Sequence, residues 1–251
     1  MSKDIAILLN GWEYNANEVT VRKILGADGR EKIQMRLDLG VLQMELEGRP
    51  DGKRPHGREC LLEYYTDRHK RYEDTHPGET FELSSEDCSD LKQEAMQYYY
   101  RYLSLFHLGD YFGVIRDTQR NLRAFDLIRD HAVEENDRMS LEQFRPYVLM
   151  MNTRARACIS LEERDFDLAL DQIEAGVERI TEFFREIDRE ELLENCREIT
   201  FLEDWSDRIR NNRPLSPEEK LRRELRMAVE AEDYERAAQL RDEIKEIALI
   251  S

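Results

Sequence analysis

At 251 residues the chain has room for one large or two small domains. Charged residues make up 37% and the formal net charge is −17, which disfavours nonspecific binding to nucleic acid or to an anionic membrane, since both need positive fields. A hydrophobic share of 40% still supplies a core and argues against disorder throughout.

In chain order, Asp4 to Leu9 reads as a short helix stopped at Asn10-Gly11. Its apolar run, Ile5 to Leu9, is too short for a signal segment or a membrane span, so a cytoplasmic protein is expected. Trp12 and Tyr14 are spaced to anchor on one face. Val19 to Leu25 reads as a strand, and Gly26-Ala27-Asp28-Gly29 is a turn signal. Ile33, Met35, Leu37 and Leu39 then alternate with polar residues, the period of a half-buried strand. After Gly40 the apolar parity switches to Leu42, Met44 and Leu46, as a bulge or sharp bend would produce. A small antiparallel sheet of two or three strands follows from this pattern.

The run GRPDGKRPHG, Gly48 to Gly57, is too rich in glycine and proline for a regular element. It gathers Arg49, Lys53, Arg54 and His56. Guanidinium groups and turn amides suit an anion or an acidic partner. The alternative is a structured connection whose arginines pair with local acids.

Helices begin near Cys60, and THPGETFELSSEDCS is linker-like. Ser89-Asp90 is expected to open a long helix carrying Ala95, Tyr99, Tyr102 and Phe106 on one face. Leu108-Gly109-Asp110-Tyr111 ends it, and a returning helix carries Val114, Thr118, Leu122 and Phe125. Pro146 to Leu161, the turn Arg164-Asp165-Phe166, and Leu168 to Phe184 form a second pair. These pairs resemble tetratricopeptide helix pairs, with Leu108 to Tyr111 the best local match. The two turns, at residues 109–111 and 164–166, lie farther apart than that repeat's ~34-residue period. Glu190 to Arg210 reads as a last helix that presents Leu202, Trp205 and Ile209. The aromatic run Tyr98 to Tyr102 reads either as interhelical packing or as the wall of a groove.

The C-terminal stretch is the most specific. Ser216, Pro217 and Glu219 spell a capped helix start. Leu221, Leu225 and Ala228 form one apolar stripe, with Glu218–Arg222 and Glu219–Arg223 as i,i+4 pairs. Asp233 can cap a second helix carrying Tyr234, Ala237, Ala238, Arg241, Ile244 and Ile247. The run from Ala228 to Ile244, A-x-x-A-x-D-Y-E-R-A-A-x-L-R-D-x-I, resembles the UVR motif. That motif is a helical hairpin of the UvrB and UvrC excision-repair proteins that also occurs in ClpC-type chaperone ATPases and McsA-type kinase activators. The resemblance implies docking on another protein. KIQMRLDLGVLQMELEGRPDGKRPHG also looks like the front end of uncharacterised bacterial proteins that end in a UVR motif. A hairpin this small cannot bury enough surface to be stable alone, so it is expected to cover another surface, a partner's or its own chain's.

No Gly-rich phosphate loop, G-x-S-x-G or H-E-x-x-H is present. Glu73 and His76 make a single E-x-x-H that Pro77-Gly78 cuts short, and His56 with Cys60 has no second pair to complete a metal site. The four cysteines, Cys60, Cys88, Cys158 and Cys196, show no C-x-x-C. McsA-type proteins carry zinc-binding cysteine pairs that are missing here. The expected fold is mainly α (α+β), with an N-terminal α+β segment over 1–80, a tetratricopeptide-like helical array over 85–211 and a UVR hairpin over 216–249. The expected role is a non-enzymatic adaptor with no cofactor and no metal. It would dock a UVR-containing, Clp-ATPase, arginine-kinase or UvrB/UvrC type of protein, or itself, through Leu221, Leu225, Ala228, Tyr234, Ala237, Ala238, Arg241 and Ile244. The alternative is a DNA-repair accessory touching nucleic acid through the 48–57 loop.

Overall fold

The structure, a computed structural model, describes residues 4–214 and 217–248, apart from the side chains of 217–219, 222 and 245–248. It is 66% helical with one small antiparallel sheet, so the fold is mainly α. Two compact units divide the chain, one ending at Ser206 and one starting at Asp207.

The first unit opens with a single helical turn, α1 (Ala6–Leu9), which Asn10 and Gly11 (φ 72°) terminate. Three strands follow, β1 (Val21–Leu25), β2 (Glu31–Leu37) and β3 (Gly40–Glu45), in the order β1-β2-β3. Val21 pairs with Met35, and Ile33 with Met44. The parity switch at Gly40 is not a bulge within one strand. Leu37 pairs directly with Gly40 across a two-residue turn, Asp38-Leu39, so a hairpin reverses the chain there and Leu39 is left exposed. Both faces of β2 are covered: Ile33 and Met35 on one, Lys32 and Gln34 on the other. Lys32 pairs with Glu45 and Asp28, and Gln34 donates to Gln43 at 2.9 Å and accepts from Arg22 at 2.9 Å, so the polar face is satisfied internally. Arg22 also lies 3.8 Å above the Trp12 ring and Arg36 faces Tyr14, which anchors the segment before β1 on the sheet.

The helices of this unit are α2 (Leu61–Thr75), α3 (Ser85–His107), α4 (Tyr111–His131), α5 (Glu135–Met139), α6 (Arg145–Glu162), α7 (Phe166–Glu186) and α8 (Arg197–Asn212). The boundary between the units falls within α8. Helix α3 starts four residues earlier than the Ser89-Asp90 signal, because Ser84 and Asp87 form a reciprocal capping box. The stretch before it is part of the core and not a free linker. Phe81 and Leu83 are buried, and Leu83 bridges Ala132. Leu61, Tyr65, Phe81, Leu83, Leu91, Phe125 and Ile128 belong to one apolar cluster, so residues on both sides of 80–85 share a core. Residues 190–195, expected in the last helix, form a separate 3-10 turn before α8. Helices α3 with α4, α4 with α6, and α6 with α7 pack as successive neighbours.

The second unit is a helical pair, α9 (Pro217–Glu230) and α10 (Tyr234–Ala248). The expected Ser216 cap and the Glu218–Arg222 and Glu219–Arg223 pairs lie outside the described residues, as does the Ile247 side chain.

Candidate docking surface

The three inter-helix turns are built alike. Gly109 (φ 74°), Arg164 (φ 63°) and Glu232 (φ 58°) each take a left-handed backbone. The next residue's amide then donates back to the preceding helix: Asp110 to Leu105 O at 2.9 Å, Asp165 to Ser160 O at 2.8 Å, Asp233 to Ala228 O at 2.8 Å. The same aspartates cap the following helix, accepting from the amides of Gly113, Leu168 and Arg236 at 3.0 Å each. One difference sets the last turn apart. Tyr111 and Phe166 are half-buried after their aspartates, whereas Tyr234 is 69% exposed. At this turn the aromatic ring points to solvent.

Between α9 and α10 the buried seam consists of Ala228, Ala237 and Leu240, with Leu221 and Leu225 packed against it. Alanines near the turn let the helix axes approach, and Leu240, 1% exposed, fills the space beyond them. Arg236 ties the helices at the surface through Glu224 at 3.4 Å. That pair is about half exposed and adds little. The eight residues expected to meet a partner therefore divide. Leu221, Leu225, Ala228 and Ala237 are spent on the seam, and Ile244 is half-buried. Tyr234, Ala238 and Arg241 face outward. Two further apolar residues join them near the turn, Met227 at 60% and Val229 at 50% exposure. Sequence reading missed both because they lie off the i,i+4 stripe. Leu240, the centre of the seam, was missed for a different reason: the stripe was extended through Arg241 instead.

The basic loop is bolted to the body. Gly48 O accepts from Arg101 Nη1 at 2.7 Å, and Pro50 O accepts from Glu45 N at 2.8 Å. Arg49 turns inward to Glu94 at 3.2 Å and Asp51 at 3.3 Å. His56 stacks on Tyr64 with ring centroids 4.0 Å apart. Lys53 and Arg54 stay exposed, with no ion pair among the described residues. The loop is thus a structured connection that leaves two of its four basic residues free for an anion. Among the described residues, no group of His, Cys, Asp and Glu side chains converges in a way that could hold a metal ion. Glu73 faces His69 at 3.4 Å while His76 stacks on Tyr72.

The family model for the UvrB/uvrC motif, UVR, matches residues 219–249, which span α9, the Asp233 turn and α10. The chain carries a UVR motif, an element of protein or nucleic-acid interaction. No curated protein and no solved structure matches the chain. No helix among the described residues is long and apolar enough to cross a membrane.

Proposed function

We propose that this is a non-enzymatic interaction protein whose C-terminal hairpin docks a partner protein. The observation that carries the reading is the exposed apolar group Met227, Val229 and Tyr234 beside the turn of a UVR motif. Exposed apolar side chains on a small hairpin are what a partner can desolvate. Arg241 and Ala238 extend the surface along α10. The partner is of the UVR-containing, Clp-ATPase, arginine-kinase or UvrB/UvrC type, or a second copy, and the setting is cytoplasmic. The helix pairs of the first unit act as a tetratricopeptide-like scaffold.

The test compares cytosolic capture by the full chain, by the chain ending at Asn212, and by the full chain with Met227→Asp and Tyr234→Ala. A partner held only by the unaltered full chain supports the reading. Equal capture by all three moves docking into the first unit and sinks it.

A DNA-contacting role has one observation in its favour, the free Lys53 and Arg54. Two cations on a chain of net charge −17 supply little counterion release. Filter binding to short DNA across a salt series decides: a flat response near zero discards this second reading.

A further inference from the structure

A cavity of about 410 Å³ opens beside Arg120 and a second, of about 510 Å³, lies between α3, α6 and the start of α8. In the first cavity four of the five arginines on the wall are matched by acids. Arg101 and Arg116 bond Asp117, Arg120 bonds Glu94, and Arg58 bonds Asp67 at 2.7 Å. The second cavity is different.

Its walls are aromatic: Tyr99, Tyr102 and Tyr147, with the exposed ring of Phe144 at the mouth. The Tyr99 ring lies 5.5 Å from Tyr102 and 6.2 Å from Tyr147. Tyr102 is 1% exposed and lines this cavity, yet neither its hydroxyl nor those of Tyr99 and Tyr147 has a hydrogen-bond partner among the described residues. Burial raises the pKa of all three phenols above the ordinary tyrosine range, so at neutral pH they remain uncharged hydroxyls. Phenol oxygens that line a cavity and have no partner in the protein can accept from a ligand's donors.

Two formal charges sit on the wall. Lys92 is neutralised by Asp137 at 2.6 Å. Glu198 has a thiol contact alone, Cys196 Sγ at 3.5 Å, and no cation within salt-bridge distance. The nearby Arg154 is held over the rings of Phe106 and Phe201 and does not line the cavity. The cavity therefore combines ring faces, three free phenol oxygens and one unmatched carboxylate.

We infer that this cavity is a socket for an arginine side chain presented by an extended segment of a partner protein. A guanidinium is planar and stacks on tyrosine faces. Its fork of donors can reach phenol oxygens and a carboxylate together, and its charge meets the unmatched Glu198. A purely apolar occupant would use neither the hydroxyls nor the carboxylate, and an anion would meet Glu198 with like charge. The inference stands apart from the hairpin, since no socket residue lies within 219–249.

The test titrates acetyl-Gly-Ala-Arg-Ala-Gly-amide into the full chain carrying ring-labelled tyrosine, with the signals of Tyr99, Tyr102 and Tyr147 followed by NMR. Saturable shifts of these rings are expected. The same peptide with citrulline in place of arginine should bind about tenfold more weakly, because it keeps the shape and loses the charge. Glu198→Gln should weaken the arginine peptide by a similar factor and leave the citrulline peptide unchanged. Glu198 is half-exposed, so this variant is expected to fold, and its melting curve checks that. Equal affinity for arginine and citrulline, full binding by Glu198→Gln, or rings that do not respond to the peptide would each overturn the inference.

Discussion

Glu94 is fully buried on α3 and gathers four groups onto its carboxylate. The amides of Leu61 and Leu62 donate to it at 2.8 and 3.4 Å, the Arg120 guanidinium bonds it, and Arg49 lies alongside. It caps α2 from a distance, which explains why Cys60, at the N-cap position, makes no side-chain cap. Asp117 plays the corresponding part for the loop: Arg101 bonds it at 2.6 and 2.8 Å and holds Gly48 O with its remaining nitrogen. Asp117→Ala is expected to cost about 3–5 kcal/mol, because it strands a buried guanidinium. Arg101→Met combined with it should recover part of that loss, and chemical denaturation of the three variants checks both. At Arg164, a left-handed residue with no need of a side chain at that angle, Arg164→Gly should raise stability by about 0.5–1 kcal/mol in the same assay. The burial of Glu94, Arg101 and Asp117 was not legible in the sequence. In a chain with 37% charged residues, a charged helical position reads as a solvated face until its partner is seen.

At the scale of elements, α6 and α7 meet closely at one residue. A Cβ added to Gly176 would lie 2.3 Å from Thr153 Oγ1 and 2.4 Å from its Cγ2, so Gly176→Ala should destabilise the first unit by about 1–3 kcal/mol through overpacking. The hairpin offers a cleaner separation of packing from docking. Leu240→Ala, in the seam, should lower the helicity of α9 and α10 with loss of partner capture, whereas Tyr234→Ala should abolish capture with helicity intact. Circular dichroism read alongside the capture assay distinguishes them. If Tyr234→Ala also lost helicity, the exposed ring would be structural and the docking surface misplaced. The Asp-capped turns were readable from sequence because their chemistry is local. Which stripe residues stay exposed was not, since a two-helix unit consumes its own best apolar stripe.

For the whole molecule, pH should act through His131. Its ring packs 4.2 Å from His69 and against Phe81, and its Nδ1 is buried without a hydrogen-bond partner among the described residues. Burial first, and then His69, lower its pKa below the ordinary 6.5, and burial acts on His107 in the same direction. The unfolded chain therefore binds protons that the folded one resists, and stability is lost as pH falls below 6.5. The thermal midpoint should drop between about pH 7.5 and about pH 5.5, and His131→Asn should flatten that drop. An unchanged slope in the variant would assign the effect to other groups.

The sequence by itself determined what depends on neighbours along the chain. Helix and strand periods, the three aspartate turns and the motif over 219–249 are local patterns, fixed by propensity and capping within a few residues. Tertiary structure decided what depends on distant partners. It turned Arg49 inward to Glu94, placed Phe81 and Leu83 of a linker-like stretch in the core, and left Tyr234 exposed where Tyr111 and Phe166 are half-buried. It also drew Tyr99, Tyr147 and Glu198 from three helices to one cavity. Burial and pairing are properties of packed surfaces, and a single sequence records the residues on those surfaces but not which of them meet.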